Sequence, residues 1–201
     1  MITHNDILNF DDIVPQMKNH GMKSPPNKIE ISIPDSRGVL WNALKYFIGL
    51  EKKEAEWLPE YEEVAVWLSG NNGRGLFMFG NCGRGKSMLG RFIIPAILLK
   101  YQRKVVSVFD VNEMNKDIDI VLRKPLVSLD DIGTEDLSVK FGEKRLAFAE
   151  VIDNAEKTGS LLIVSTNLTG EGVKARYGDR IVDRIHSTMT QVMFNGKSLR
   201  K

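Results

Sequence analysis

A pattern that binds phosphate, G-x-x-x-x-G-K-S, is matched by eight consecutive residues: Gly80-Asn81-Cys82-Gly83-Arg84-Gly85-Lys86-Ser87. Glycines in such a loop allow the backbone to curl, so that successive N–H groups point at a phosphate beside the positive end of the following helix. The lysine reaches the β- and γ-phosphates, and the hydroxyl after it is a ligand for Mg²⁺. This loop, together with Met88, is therefore predicted to bind a nucleoside triphosphate, with Ser87 as a metal ligand.

The residues on either side of the loop support the same interpretation. An apolar run typical of a strand, 76–79, precedes it, and an apolar run with helical character, 88–99, follows it. A strand before the loop and a helix after it are the context in which this pattern binds phosphate.

Two consecutive aspartates follow a second apolar run, 126–129, which only Ser128 interrupts. A carboxylate at the end of a buried strand opposite a phosphate loop can hold Mg²⁺, and Asp130 is predicted to take this role. Asp131 is predicted to orient or deprotonate the attacking water, and Glu135 is a second candidate for this base. Without the phosphate loop, the same pair would indicate only the end of a strand and the cap of a turn.

Another polar residue, Asn167, follows the apolar run 161–165. A polar side chain that leaves a strand beside the phosphate loop can hold the attacking water or sense the γ-phosphate. Asn167 is the first candidate for this role and Thr166 the second, although asparagine after a strand is also common in turns.

Three arginines, Arg176, Arg180 and Arg184, recur at intervals of four and are predicted to lie on or near one face of a helix. The planar guanidinium donates two hydrogen bonds at once, which suits charge that develops on a transferring phosphoryl group. If subunits assemble side by side, this helix could reach the nucleotide of a neighbour. The same spacing also fits a solvated surface or a phosphate-binding stripe.

The composition favours one globular domain with a short appendage. The chain has 201 residues, 42% of them hydrophobic and 27% charged. A net charge of +2 is too small to indicate nucleic-acid binding by itself. The single cysteine excludes an internal disulfide, and the three histidines are too scattered to form a metal cluster. The sequence shows no signal-peptide core and no apolar run of membrane-spanning length, so we expect a cytoplasmic protein with no membrane partner.

The pattern of apolar residues divides the chain into a helical extension, 1–70, and a nucleotide-binding domain, 71–201. In the extension, helices are predicted around 7–17, 39–48 and 61–68. From residue 75 onward, strands are predicted at 76–79, 105–109, 126–129, 161–165 and 191–194, with helices at 86–100, 143–157 and 178–187. Apolar strands separated by helices predict an α/β fold with a five-stranded, mostly parallel sheet and helices on both faces. The phosphate-loop pattern makes this a fold of the P-loop NTPase type.

Taken in order, five segments resemble the DnaC/IstB group of AAA+ ATPases, which contains bacterial replicative helicase loaders and helper ATPases of transposition. The resemblance covers residues 61–201 and is carried by residues 80–87, by Leu129-Asp130-Asp131-Ile132-Gly133-Thr134-Glu135, by Ser165-Thr166-Asn167-Leu168, by Gly178-Asp179-Arg180-Ile181-Val182-Asp183-Arg184-Ile185, and by Gly196-Lys197-Ser198-Leu199-Arg200.

The resemblance implies a role for each of these segments. It implies Walker A at 80–87, Walker B at Asp130 and Asp131, sensor 1 at Asn167, and an arginine finger at Arg180 or Arg184. Arg200 resembles the last basic contact of the family. Two departures stand out: residues 111–124 leave room for only one short helix, and the segment after Arg184 is too short for the classical helical lid.

The expected function is therefore binding and hydrolysis of ATP with Mg²⁺, in an oligomer that depends on nucleotide. By resemblance the partner is a replicative helicase, which the protein would load or remodel during DNA replication, and single-stranded DNA is a further possible partner. The alternatives are a nucleotide-switched interaction module that docks through residues 7–17, or a transposition helper ATPase with little hydrolysis of its own. A small-molecule kinase is a third class, for which residues 111–124 leave little space.

Overall fold

A central sheet of five strands organises the chain in the computed structural model, which describes residues 9–134 and 146–199 together with the backbone of residues 138–140 and 143–145. The strands, in chain order, are β1 (Gly75–Gly80), β2 (Ser107–Asp110), β3 (Leu126–Ile132), β4 (Ser138–Lys140), β5 (Glu143–Arg145), β6 (Leu161–Thr166) and β7 (Met189–Phe194). The sheet has the order β2-β3-β6-β1-β7, and all its neighbouring strands run parallel. Strands β4 and β5 form a separate antiparallel pair. The predicted α/β class and five-stranded sheet are confirmed.

The helices of the described residues connect these strands and cover both faces of the sheet. They are α1 (Phe10–Asn19), α2 (Ser36–Leu50), α3 (Pro59–Ser69), α4 (Lys86–Met88), α5 (Ile94–Gln102), α6 (Val111–Lys116), α7 (Ile118–Leu122), α8 (Ala147–Thr158), α9 (Gly170–Tyr177) and α10 (Asp179–Thr188).

Two hydrophobic clusters, one on each face, hold the sheet between its helices. Side chains of a strand alternate between faces, so Leu76 and Met78 of β1 join one cluster and Phe77 joins the other. The first cluster contains α2, α3 and α5, and the second contains helices α6 to α10. Because the strands are parallel, β1, β3 and β6 all bring their carboxyl ends to one edge of the sheet, where the predicted site residues follow.

The helix after the phosphate loop contains a π-helical turn, Leu89–Ile93, between α4 and α5. Pro95 lies in the first turn of α5 and has no N–H to donate. The turn is closed by Ile94, whose N–H donates to the Leu89 carbonyl. The Ser128 hydroxyl donates to the Gly90 carbonyl over 2.8 Å. This bond explains why a serine interrupts the otherwise apolar β3: it satisfies a carbonyl of the π-helical turn at a site where Ser128 is only 1% exposed.

Several predicted helices require correction. The helix expected at 143–157 begins at Ala147, because residues 143–145 pair with β4 as strand β5. Two short helices, α6 and α7, occupy residues 111–122 instead of one, because Asp117 leaves the helical conformation and its side chain caps Ile120. The sequence pattern does not predict helix α9, because its apolar pattern is short and its first turn contains two glycines.

The N-terminal helices differ in how they pack. Leu40 and Leu44 of α2 and Tyr61 and Leu68 of α3 are buried in the same cluster as the sheet. Helix α1, in contrast, has no buried residue. The division of the chain at residue 70 stays a prediction, and the packing shows that α2 and α3 lie on the body that carries the sheet.

None of the helices in the described ranges combines the length and the hydropathy needed to cross a bilayer.

Candidate functional site

The phosphate loop joins β1 to α4 and has a backbone that glycine adopts most easily at three positions, Gly80, Gly83 and Gly85. Gly80 and Gly85 have φ angles of 110° and 90°. A Cβ on Gly80 would lie 2.5 Å from the carbonyl oxygen of Phe194, and one on Gly85 would lie 2.6 Å from the hydroxyl of Tyr61. The loop is therefore packed against β7 on one side and α3 on the other.

Lys86 lies at the centre of this loop and is 5% exposed. Its ammonium donates to the carbonyl oxygens of Gly80 over 2.9 Å and Asn81 over 2.7 Å. These two bonds hold the positive charge inside the curve of the backbone, which is the position from which a lysine can contact bound phosphates.

A cavity of about 800 Å³ opens beside the loop, within the size range of pockets that bind small molecules. Residues from three strand ends line it: Lys86 and Ser87 after β1, Asp130 and Asp131 in β3, and Asn167 after β6. The structure thus brings together these five predicted residues, which are far apart in the sequence. Four further predicted loop residues line the same cavity: Cys82, Gly83, Gly85 and Met88.

Asp130 is 5% exposed, and its carboxylate has two partners that the local sequence does not indicate. Its Oδ1 accepts a hydrogen bond from the Ser165 hydroxyl, and its Oδ2 lies 3.5 Å from Nη1 of Arg91. Ser165 follows four apolar residues of β6, and one polar residue near the end of a strand is only a weak signal of such a contact. Arg91 lies in the π-helical turn, and nothing in its sequence context indicates this contact.

Asp131 has an unusual backbone for a non-glycine residue, with a φ of 59°. The pairing of β3 with β6 shifts register between Leu129 and Ile132, so Asp131 occupies a bulge. Bulges next to active sites commonly redirect a side chain. Here Oδ1 of Asp131 accepts a hydrogen bond from Nδ2 of Asn167 over 2.7 Å, so the predicted base and the predicted sensor are in direct contact.

Thr166, the second candidate for the sensor, has a different position. It is 1% exposed, its hydroxyl donates to the Ile132 carbonyl, and the same hydroxyl accepts from the N–H of Leu168 over 3.1 Å. These bonds hold the chain as it leaves β6. The geometry therefore favours Asn167 for contact with a ligand.

Two loop side chains face away from the cavity, which corrects the expectation that they contact nucleotide. The guanidinium of Arg84 is buried and forms an ion pair with Glu60 of α3. The amide of Asn81 donates over 2.9 Å to the carbonyl of Gly196, in the segment after β7. Both side chains pack on the side of the loop that faces away from the cavity, so only the backbone of these two residues contributes to the curve of the loop.

The three spaced arginines do not share a helix, contrary to prediction. Gly178, with a φ of 83°, separates α9, which carries Arg176, from α10, which carries Arg180 and Arg184. The side chain of Arg184 is 19% exposed and pairs with Asp153 and Glu156 of α8. That of Arg180 is 69% exposed and lies 2.6 Å from Asp153.

Some predicted residues lie outside this description. Neither finger candidate lines the nucleotide-sized cavity of its own chain. Glu135, the alternative base, and Arg200 are outside the described residues. Across those residues that are described, no group of three or more His, Cys, Asp or Glu side chains forms a metal cluster.

No protein-family model matches the sequence, and no curated protein matches it. Solved structures do share its fold. The crystal structure of the DnaC helicase loader aligns over 82% of this chain and 93% of its own, with a TM-score of 0.51 and 18% identity. The structure of DnaI aligns over 81% and 87%, with a TM-score of 0.50 and 17% identity. A protein assigned as a primosome component, from Streptococcus pyogenes serotype M3, aligns over 85% and 88%, with a TM-score of 0.50 and 16% identity.

At identities this low, the comparisons show a shared fold alone. The alignments span most of both chains in each comparison, so the likeness is not confined to the phosphate loop. The chain therefore shares the α/β fold of the DnaC and DnaI structures.

Proposed function

We propose that this protein binds and hydrolyses ATP with Mg²⁺ and acts in DNA replication as a DnaC-like loader or remodeller of a replicative helicase in the cytoplasm. The observation that supports the ATPase most strongly is the convergence of Lys86, Ser87, Asp130, Asp131 and Asn167 on one cavity. The helicase as partner rests on the fold shared with a helicase loader.

The two predicted metal ligands suit Mg²⁺. Ser87 and Asp130 offer a hydroxyl and a carboxylate oxygen to the same cavity, and Mg²⁺ usually takes one or two protein oxygens and completes its shell with waters and phosphates. When bound, the ion would neutralise charge on the β- and γ-phosphates. Ser165 and Arg91 hold the Asp130 carboxylate in place for this role.

Asp131 is the proposed general base, and Asn167 positions it. The bulge directs the aspartate carboxylate to the cavity, and the bond from Asn167 leaves its second oxygen as an acceptor for a water proton. Asn167 would also contact the γ-phosphate or the attacking water. Bound nucleotide can therefore change the contact between Asp131 and Asn167.

Calorimetry tests the ATPase part of this proposal. We expect well-folded protein to release or absorb heat on titration with ATP and Mg²⁺, and to release phosphate at saturating ATP. Folded protein that shows no heat of association with adenine nucleotides would refute the proposal as a whole.

The exposure of the two α10 arginines leads to a prediction about the finger. Both arginines pair with α8, but the side chain of Arg180 is 69% exposed and can reach a neighbouring subunit, whereas that of Arg184 is 19% exposed and has a second partner in Glu156. We expect Arg180→Ala to preserve ATP affinity and slow hydrolysis by roughly 10³-fold, and only at concentrations where the protein assembles.

Arg184→Ala is the matched variant. It leaves Asp153 and Glu156 without this partner, so we expect a lower melting temperature as its main effect. Equal slowing by Arg180→Ala in a demonstrably monomeric sample would contradict a finger that acts on a neighbour's nucleotide.

A second candidate function is a nucleotide-switched interaction module. The observation that favours it is α1, which has no buried residue and exposes 66% of Phe10. Capture of a replicative helicase can be compared between ATP and ADP, with and without residues 1–20. Capture that depends on α1 and on nucleotide, but continues when hydrolysis is blocked, would favour the switch over the remodelling ATPase.

A further inference from the structure

A buried ion pair joins the phosphate loop to α3. Nε of Arg84 contacts Oε1 of Glu60, and their side chains are 9% and 4% exposed. Removing both charges from water is costly, so a buried pair is weak evidence for stability and often fixes one arrangement instead. Arg84 lies in the phosphate loop, two residues before Lys86, so the arrangement that this ion pair fixes is that of the loop.

Further contacts hold Arg84 from the same side. Its Nη1 donates to the Lys197 carbonyl over 3.2 Å, and the hydroxyl of Tyr61 donates over 3.2 Å to the Arg84 carbonyl. Burial, and then the charge of Glu60, raise the pKa of Tyr61 to about 12, which favours the protonated hydroxyl that donates this bond. Consecutive residues of α3 thus hold both the side chain and the backbone of Arg84.

Tyr61 lines the cavity and begins a chain of aromatic contacts that reaches α2. The rings of Tyr61 and Trp57 are 6.1 Å apart and nearly perpendicular. Trp57 in turn packs edge-on against Trp41 of α2, with ring centroids 5.9 Å apart. The third tryptophan, Trp67, donates to the carbonyl of Arg74 at the amino end of β1, which is the opposite edge of the sheet.

We propose that Arg84 and Glu60 are a positioning pair that couples the phosphate loop to the α2–α3 helices, so that nucleotide binding is transmitted to Trp57 and Trp41. The inference rests on the proposed binding of nucleotide at this loop. Phosphate recruits the backbone N–H groups around Gly83 and Gly85, and any adjustment of that backbone moves Arg84, which is rigidly held by Glu60 and Tyr61. Helix α2 exposes the large side chains of Tyr46 and Leu50, so the coupled helices can present the nucleotide state to a partner.

The test uses the full chain labelled with 5-fluorotryptophan, whose three ¹⁹F resonances are assigned with single Trp→Phe variants. On saturation with ADP and Mg²⁺, we expect the Trp57 and Trp41 resonances to shift and the Trp67 resonance to stay in place. Calorimetry on the same sample establishes that the nucleotide is bound. A measured heat without a shift of Trp57 overturns the coupling alone, whereas no heat refutes the proposed nucleotide site itself.

Variants then identify the pair as the route. We expect Glu60→Gln to bind ADP roughly 3- to 30-fold more weakly and to lose most of the Trp57 shift at saturation. The exchange Glu60→Arg with Arg84→Glu restores an ion pair and should recover part of both. Glu63→Gln, an exposed glutamate on the same helix, is the control and should match the wild type. A full Trp57 shift in saturated Glu60→Gln would overturn the role of this ion pair. If that variant does not fold, the contrast between the Trp57 and Trp67 resonances of the wild type still tests the coupling.

Discussion

Replacement of Lys86 by alanine is expected to weaken the binding of ATP with Mg²⁺ by at least about 100-fold. The ammonium is buried within the loop and donates to the Gly80 and Asn81 carbonyls, so its removal takes away both the proposed phosphate contact and the cross-link that holds the loop curved. Hydrogen bonds to charged groups contribute about 1.5–3 kcal/mol each, and a 100-fold loss corresponds to about 2.7 kcal/mol. Isothermal titration calorimetry measures the effect directly.

Lys100→Ala is a suitable control for this variant. Lys100 is exposed near the end of α5 and does not line the cavity, so its loss should leave ATP affinity unchanged. Circular dichroism establishes that both variants are folded. Wild-type affinity in folded Lys86→Ala would remove the phosphate loop from the binding site.

Replacement of Asp131 by asparagine is expected to preserve ATP affinity within about threefold and to lower turnover by roughly 10²–10⁴-fold, the usual contribution of a general base. Asparagine has the same shape and tolerates a positive φ better than most residues, so the bulge in β3 should persist. Its amide oxygen can still accept from Asn167, but it cannot take a proton from water. Phosphate release at saturating ATP measures the loss.

The neighbouring strand provides a matched control. Asp110 ends β2 in register with Asp130, but its side chain caps α6 and does not line the cavity. Asparagine is an equally good helix cap, so Asp110→Asn should keep normal turnover. Full turnover in Asp131→Asn would rule out Asp131 as the base and leave Glu135 as the candidate.

The parts of the site that could be predicted are those in which function depends on neighbours in the sequence. The phosphate loop is one contiguous pattern, and its curve is dictated by glycines within it. Asp130 and Asp131 follow the apolar run at the start of β3 and Asn167 follows β6, and parallel strands necessarily bring their carboxyl ends to one edge. The strand and helix pattern was therefore sufficient to predict that these residues share a site.

The parts that could not be predicted depend on contacts between distant segments. The contact of Arg84 with Glu60, of Asp130 with Ser165, and of Arg184 with Glu156 each joins residues more than twenty positions apart. Nothing in the local pattern indicates which arginine is buried and which is exposed. The helix predicted from Glu143 also begins late for this reason, because pairing of β5 with β4 outweighs the local helical pattern.

The amino-acid sequence by itself determined the α/β class, the order along the chain of the five strands of the main sheet and the position of the phosphate-loop pattern, because periodicity and backbone conformation are local properties of the polypeptide. Only the tertiary structure decided where side chains of the loop and of α10 point, because burial and charge pairing depend on which distant segments pack together. Arg84 shows the difference most clearly: its place in the pattern predicts a nucleotide contact, and the packing of α3 turns its guanidinium to Glu60 instead.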